Sequence, residues 1–248
     1  MATTEERGPE RSRSALSAKV LITGTGRAGT TLLVQVLTDL GLDTGLTSDA
    51  PIDERSSAGL ELPITDPSGP RIVKNPQAIK RLGSLLDAGE LEIEHIIVPI
   101  RDLDVAAASR IRLARYGADL RTWGGLMGTV RATRQREALA LLEYELLYTI
   151  ARHDLPHTLL HFPRFVDDWQ YTYRKLTFLD PSIPIERWRD ALARRVQPEL
   201  IHETPLTRTE RLMTLGGTVY NRGLAYPVRN ARKLFRGRQL STSRSRED

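Results

Sequence analysis

The chain has 248 residues, a formal net charge of +5, 40% hydrophobic residues, 27% charged residues and no cysteine. This length suits one sizeable globular domain, and the absence of thiols excludes disulfides, thiolate nucleophiles and cysteine-ligated metals. No apolar run reaches the length of a membrane span, and the N-terminus lacks the apolar core of a signal peptide, so we expect a cytoplasmic protein without a transmembrane segment. The positive charge favours anionic ligands.

Both ends of the chain have the composition of tails. Residues 1–18 are rich in Glu, Arg, Ser and Thr, which predicts a disordered N-terminal tail. Residues 229–248 carry many Arg and Lys side chains, which predicts a basic and partly disordered C-terminal tail. This tail is compatible with peripheral contact to an acidic membrane, and we expect no specific nucleic-acid partner. Residues 19–228 are therefore expected to form a single α/β domain.

The first ordered unit is predicted over Lys19 to Leu33, K-V-L-I-T-G-T-G-R-A-G-T-T-L-L. The apolar run Val20 to Ile22 predicts a strand, the glycines that follow predict a loop, and Thr31 to Leu40 predicts a helix. Such a loop directs several backbone N–H groups and the positive end of a helix dipole at one place. The unit therefore predicts a site for phosphate or sulfate.

Three interpretations fit this loop. Gly24, Gly26 and Gly29 match the dinucleotide fingerprint G-x-G-x-x-G, but no second strand ending in an acidic residue follows the helix. The spacing of a nucleotide-triphosphate P-loop is also present, but Thr30 occupies the position of its lysine. In the third interpretation, a P-loop fold carries its cation inside the loop as Arg27.

The segment Arg27-Ala28-Gly29-Thr30-Thr31 resembles the R/K-S-G-T-T loop of sulfotransferases that use 3′-phosphoadenosine 5′-phosphosulfate (PAPS). In that family the loop holds the 5′-phosphosulfate. The resemblance therefore implies that the cofactor is bound here by Gly26, Arg27, Ala28, Gly29, Thr30 and Thr31. Ala28 stands where the family usually has Ser, so one hydroxyl contact is missing.

Further strands and helices alternate along the chain. After a proline-rich loop over residues 42–70, Arg71 to Lys74 predicts a second strand and Gln77 to Ala88 a helix. His95 to Ile100 predicts a third strand, and Val105 to Arg115 the next helix. Because these strands are apolar throughout and separated by helices, the predicted fold class is α/β. It is a three-layer P-loop-type fold with a central parallel sheet flanked by helices.

The second half continues the alternation less regularly. Glycines over 116–128 predict a flexible connection, and Thr129 to Arg152 predicts a long amphipathic helix. Thr158 to Phe162 predicts a fourth strand, and two more helices are predicted over Trp169 to Leu179 and Pro184 to Val196. The apolar face of the long helix is predicted to consist of Ala138, Leu141, Leu142, Leu146 and Ile150.

Cationic residues follow the predicted strands at their carboxyl ends. These residues are Arg27, Lys74 and Arg101. Because the carboxyl ends of parallel strands share one edge of a sheet, where ligands bind, we expect the three side chains to serve one site.

Arg101 and Ser109 stand in the segment R-D-L-D-V-A-A-A-S. The arginine leaves the strand and the serine lies about two turns into the helix, so both can reach one phosphate beside that helix. This arrangement resembles the 3′-phosphate motif of PAPS-dependent sulfotransferases. The alternative role for Arg101 is a structural ion pair with Asp102 or Asp104.

Lys74-Asn75-Pro76 resembles the K-D-P or K-N-P segment of tyrosylprotein-type and related bacterial sulfotransferases, in which the lysine faces the transferring sulfuryl group. The resemblance implies a PAPS-dependent sulfotransferase that acts in line and needs no metal, with Arg27 and Lys74 as catalytic cations. Its acceptor would be a hydroxyl or an amine of a small molecule, carbohydrate or peptide. The alternative is a P-loop small-molecule kinase or nucleotide-binding protein. That enzyme would need a lysine in the loop and an acid at a strand end for magnesium.

The acceptor hydroxyl also needs a general base. In the tyrosylprotein-type relatives a glutamate just beyond the first helix has this role, and the resemblance places Asp49 there, with Asp53 and Glu54 as alternatives. In the C-terminal half, the strand and helix over Leu159 to Leu179 resemble the family only in outline. Arg222 and Arg236 are candidates for its C-terminal phosphate contact.

Overall fold

The computed structural model describes residues 17–53, 58–115 and 132–197, together with Pro205 and Thr207. Glu54 and the connection over 116–128 lie outside the described residues. So do the basic C-terminal tail, both C-terminal arginine candidates and all of the N-terminal tail before Ser17.

A parallel sheet forms the centre of the described fold. Its strand order is β2-β1-β3-β4, where β1 is Lys19–Ile22, β2 is Ile72–Lys74, β3 is Ile93–Ile100 and β4 is His157–His161. All pairings between these strands are parallel, and Ile22 lies opposite Lys74 in β2 and Ile97 in β3. The predicted parallel sheet is confirmed, and the carboxyl ends of β1, β2 and β3 are neighbours.

Helices pack on both faces of the sheet. Within the described residues they are α1 Thr30–Asp39, α2 Ile79–Asp87, α3 Leu103–Arg115, α4 Ala132–Arg152, α5 Arg164–Asp167, α6 Trp169–Leu176 and α7 Ile185–Arg195. None of them combines the length and the apolar character needed to cross a membrane.

In the described residues the hydrophobic core has one large cluster on each side of the sheet and a small third cluster between α3 and α4. Successive side chains of a strand point to opposite faces, so Val20 and Ile22 pack with α1, α5, α6 and α7, whereas Leu21 packs with α2 and α4. Trp188 of α7 is fully buried in the first cluster. Because both faces are covered, the strands carry the nearly continuous apolar runs from which the three-layer α/β fold was predicted.

The structure confirms most of the predicted apolar face of the long helix, including Leu142, which packs against the core, and corrects one position of it. Leu141 is 65% exposed, whereas Leu139, Leu146 and Ile150 of α4 are buried. The buried face is therefore turned away from Leu141, which shares the exposed side of the helix with Tyr144. The spacing of apolar residues alone allowed either choice, because apolar residues stand on both sides of α4.

Two other elements differ from prediction. The helix predicted from Gln77 begins with a 3-10 turn, Pro76–Ala78, where the Asn75 side chain accepts a hydrogen bond from the backbone N–H of Gln77. The short helix α5 after β4 was not predicted, and its residues Phe165 and Val166 are buried.

Candidate anion-binding site

The glycine loop over residues 23–29 leads from β1 directly into α1. Gly26 and Gly29 have φ angles of 75° and 80°, a region that residues with a side chain rarely adopt. A Cβ atom on Gly29 would lie 2.7 Å from Cζ of Phe165, and one on Gly26 would lie 3.1 Å from Nη2 of Arg110. Both positions therefore favour glycine for their backbone conformation, and at Gly29 a side chain would also collide with Phe165.

Arg27 joins this loop to the start of α3. Its Nε donates a hydrogen bond to Oγ of Ser109 at 3.1 Å, and its carbonyl oxygen accepts one from Nη1 of Arg101 at 2.8 Å. Arg27 itself has a φ of 62°, which is unusual for a residue with a side chain. Backbone conformations of this kind cost free energy and are found most often at binding and catalytic sites.

Arg101 and Ser109 are both buried, with 7% and 3% of their surface exposed. Arg101 leaves the end of β3, and its guanidinium lies 4.7 Å from the centre of the Phe162 ring, a cation–π contact. Ser109 lies in α3 with its hydroxyl against Arg27. The two residues predicted to hold one phosphate are thus each bonded to Arg27.

The two acids considered as ion-pair partners of Arg101 have other contacts. Oδ1 of Asp102 accepts a hydrogen bond from the backbone N–H of Val105 at 2.9 Å, at the N-terminus of α3. Asp104 pairs with Arg136 of α4 at 3.4 Å. Asp102 therefore helps to begin the helix that carries Ser109.

Arg110, which was not predicted from the sequence, is a second buried arginine at the loop, beside Arg101 and the half-buried Arg27. Its surface is 6% exposed, and its Nη2 donates a hydrogen bond to the carbonyl oxygen of Thr25. Burial and the nearby guanidinium of Arg27 lower the pKa of Arg110 to about 10, and burial also lowers the pKa of Arg27. Because these shifts reflect buried positive charges close to one another, an anion beside them is favoured. The signal in the sequence is an arginine inside the otherwise uncharged run A-A-A-S-R-I.

The first turn of α1 completes the loop side of the site. Thr30 and Thr31 lie in this turn and are buried, as is Ala28. Gly29 occupies the N-cap position and offers no side-chain cap. The positive end of the α1 dipole therefore adds to the charge of the arginines.

Lys74 lies at the end of β2, and its amine bonds to two residues of the loop that precedes this strand. Its Nζ lies 2.5 Å from Oε1 of Glu61 and also donates to the carbonyl oxygen of Gly59. The lysine side chain is 1% exposed and the glutamate 12%. Burial lowers the pKa of Lys74, and the hydrogen bond and charge of Glu61 act in the opposite direction.

Asn75, which follows β2, forms hydrogen bonds with the end of β1 and with the segment that contains Glu61. Its backbone N–H donates to the carbonyl of Ile22 at 2.9 Å, and its carbonyl accepts from the Thr23 hydroxyl at 3.0 Å. Its side-chain amide donates to the carbonyl of Leu62 at 2.9 Å. The Glu61 segment is thereby held beside the strand from which the glycine loop begins.

The acids predicted as bases lie elsewhere in the long loop. Asp49 is exposed, and a hydrogen bond from the Thr47 side chain lowers the pKa of Asp49. Asp53 is exposed and its backbone N–H donates to the carbonyl of Ala58 at 2.8 Å. Glu61 was missed because nothing in the sequence distinguishes it from the other acids of this loop.

The structure thus brings together some of the predicted residues. Arg27, Arg101 and Ser109 form one hydrogen-bonded cluster. Lys74 ends the adjacent strand with its amine on Glu61, and Asp49 lies on the exposed part of the loop after α1.

Comparison of the chain with protein-family models, curated proteins and solved structures found no match.

Proposed function

We propose that this protein is a PAPS-dependent sulfotransferase. The observation that carries the proposal is the joining of the glycine loop to α3 through Arg27, whose Nε lies 3.1 Å from Oγ of Ser109. The loop and the Arg101 and Ser109 pair resemble motifs for opposite ends of one cofactor, and their hydrogen bonds support a single site with two phosphate subsites.

The charge of the site suits such a ligand. Three arginines, Arg27, Arg101 and Arg110, meet at a loop that also receives the positive end of α1. Backbone N–H groups of the loop and the Thr30 and Thr31 hydroxyls would hold the 5′-phosphate. Arg101 and Ser109 would hold the 3′-phosphate, because a guanidinium matches two phosphate oxygens at once.

PAPS supplies an activated sulfuryl group: the acceptor oxygen bonds to sulfur as the bond from sulfur to the 5′-phosphate oxygen breaks, which releases 3′,5′-phosphoadenosine and a proton. In-line transfers of this kind depend on positioning and on cations beside the peripheral oxygens. Arg27 and Lys74 are the cations assigned to that role.

Glu61 is the best-placed group in the described residues to receive the acceptor's proton. It is held 2.5 Å from the Lys74 amine, beside the strand end where the acceptor would meet the sulfuryl group. Asp49 lies on the exposed part of the loop, away from Lys74, and a hydrogen bond from Thr47 lowers its pKa. We therefore assign the base to Glu61 and keep Asp49 as the comparison.

A thermal-shift experiment with 3′,5′-phosphoadenosine, Mg-ATP and NAD tests the cofactor. At a hundredfold excess over its Kd, a ligand adds about 2.7 kcal/mol to the free energy of unfolding, which raises Tm by several degrees. We expect this rise with 3′,5′-phosphoadenosine. A rise with Mg-ATP and none with 3′,5′-phosphoadenosine would instead support a kinase.

A further inference from the structure

Arg110 connects α3 to the glycine loop. Its guanidinium donates to the carbonyl oxygen of Thr25, and its Nη2 occupies the space that a side chain on Gly26 would need. Ser109, the residue before it in α3, bonds to Arg27. Neighbouring residues of one helix thus contact neighbouring parts of one loop.

Each of the two buried arginines donates a hydrogen bond to a carbonyl oxygen of the loop. Arg110 bonds to the carbonyl of Thr25 and Arg101 to the carbonyl of Arg27. In a trans peptide the C=O and the following N–H point in opposite directions. Fixing these carbonyls toward the arginines therefore directs the N–H groups of Gly26 and Ala28 to the other side of the loop.

This orientation matters because the loop is otherwise unfavourable. Arg27 has a positive φ, which costs free energy for a residue with a side chain, so the loop needs contacts that hold it in this conformation. A buried guanidinium supplies a charge-assisted hydrogen bond, which is stronger than a neutral one. Arg110 is surrounded by protein, so its geometry is fixed before a ligand arrives.

We propose that Arg110 is a positioning residue that holds the glycine loop in its anion-binding conformation, and so sets the affinity for a 5′-phosphate without contacting the 3′-phosphate. The inference rests on the proposed function for the identity of the two phosphates. It assigns separate tasks to adjacent residues of α3: Ser109 binds the 3′-phosphate, and Arg110 orders the 5′ subsite.

The test measures each subsite by calorimetry with adenosine 5′-monophosphate, adenosine 3′-monophosphate and pyrophosphate. The variants are Arg110→Gln and Arg110→Lys, and the control is Arg189→Gln, which removes the same charge from an exposed position of α7. For Arg110→Gln we expect about tenfold weaker binding of adenosine 5′-monophosphate and pyrophosphate, the effect of one charge-assisted hydrogen bond. Binding of adenosine 3′-monophosphate should change less than twofold.

Arg110→Lys should recover part of the loss, because it keeps the charge but lacks the planar fork of a guanidinium. This variant also serves as the test if Arg110→Gln does not fold. The inference is overturned if Arg110→Gln weakens the binding of the 5′ and 3′ monophosphates equally, or weakens the binding of neither. It is also overturned if the wild-type protein binds none of the three probes. The proposed function fails separately, if wild-type protein binds 3′,5′-phosphoadenosine no more tightly than adenosine 5′-monophosphate.

Discussion

Lys74, which is buried, and Glu61, which is partly buried, form an ion pair at the end of β2, with 2.5 Å between Nζ and Oε1. Burying two charges costs free energy that their attraction only partly returns, so such a pair is weak evidence for a contribution to stability. Its position at the carboxyl end of a parallel sheet, next to the glycine loop, is where α/β proteins bind ligands. We therefore interpret the pair as part of the candidate site.

Replacing Glu61 by Gln tests its assignment as the base. The amide oxygen can still accept a hydrogen bond from Lys74, but the side chain no longer takes a proton. We expect turnover to fall by about 10²–10⁴, the usual contribution of a general base, with the Kd for 3′,5′-phosphoadenosine within about twofold. Turnover is measured as release of 3′,5′-phosphoadenosine from PAPS in the presence of phenol, sugar and peptide acceptors.

Asp49→Asn is the matched comparison for that experiment. Because Asp49 is exposed, we expect its loss to leave turnover and thermal stability nearly unchanged. The opposite result, with Asp49→Asn inactive and Glu61→Gln active, would return the role of the base to Asp49.

Replacing Arg101 by Ala tests the second phosphate subsite. The change removes a charged donor, whose hydrogen bonds to a charged group contribute about 1.5–3 kcal/mol. We expect the affinity for 3′,5′-phosphoadenosine to fall about 10–100-fold. The affinity for adenosine 5′-monophosphate should fall less, by the part of the effect that comes from the lost bond between Arg101 and the loop carbonyl of Arg27. Calorimetric titration measures both, and urea unfolding checks that the variant is folded. An unchanged affinity for 3′,5′-phosphoadenosine would contradict the assignment of this subsite.

Replacing Gly29 by Ala tests the packing under the loop. The new methyl group would meet the Phe165 ring at 2.7 Å, at a φ of 80°. Gly41→Ala is a matched control, because its φ is 86° and no atom lies within 4 Å of the added carbon. We expect Gly41→Ala to cost about 1 kcal/mol from backbone strain and Gly29→Ala about 1–3 kcal/mol more from overpacking. Urea unfolding measures the loss of stability of both variants. Equal losses would show that the Phe165 ring moves aside without reducing the free energy of unfolding.

Asp39 and Arg195 provide a pH-dependent test of the contact between α1 and α7. Oδ1 of Asp39 lies 2.6 Å from Nη2 of Arg195, and the aspartate side chain is fully buried. The hydrogen bond from Arg195 lowers the pKa of Asp39 in the folded protein. The unfolded chain therefore binds the proton more readily, so this contribution to stability is complete above pH of about 4 and is lost as the pH falls through the folded-state pKa.

The variant Asp39→Asn should lose about 3 kcal/mol at pH 7, because it leaves a partly buried arginine without its carboxylate. Between pH 5 and pH 3 its stability should fall less steeply than that of the wild type. Asp190→Asn is the control, since Asp190 is exposed and pairs with its neighbour Arg189. If Asp39→Asn and the wild type lose stability identically between pH 5 and pH 3, protonation of Asp39 does not cause the loss. Urea unfolding at each pH provides the comparison.

The order of elements and the sheet could be predicted because the information is local. Val20 to Ile22 and His95 to Ile100 are apolar on both faces, and a strand buried on both sides needs such a pattern. The same local pattern could not show that Leu139 rather than Leu141 is buried in α4, since the two are equally apolar and only packing against α3 distinguishes them.

In the candidate site too, some features follow from the sequence and others only from the tertiary structure. The sequence by itself determined the glycine loop and the cations Arg27, Lys74 and Arg101, because a strand end followed by a loop places these residues at one edge of a parallel sheet. Only the tertiary structure placed Glu61 on Lys74 and Arg110 on the Thr25 carbonyl. Those contacts join segments far apart in the chain, and a lone acid or arginine has no periodicity by which a sequence could reveal its partner.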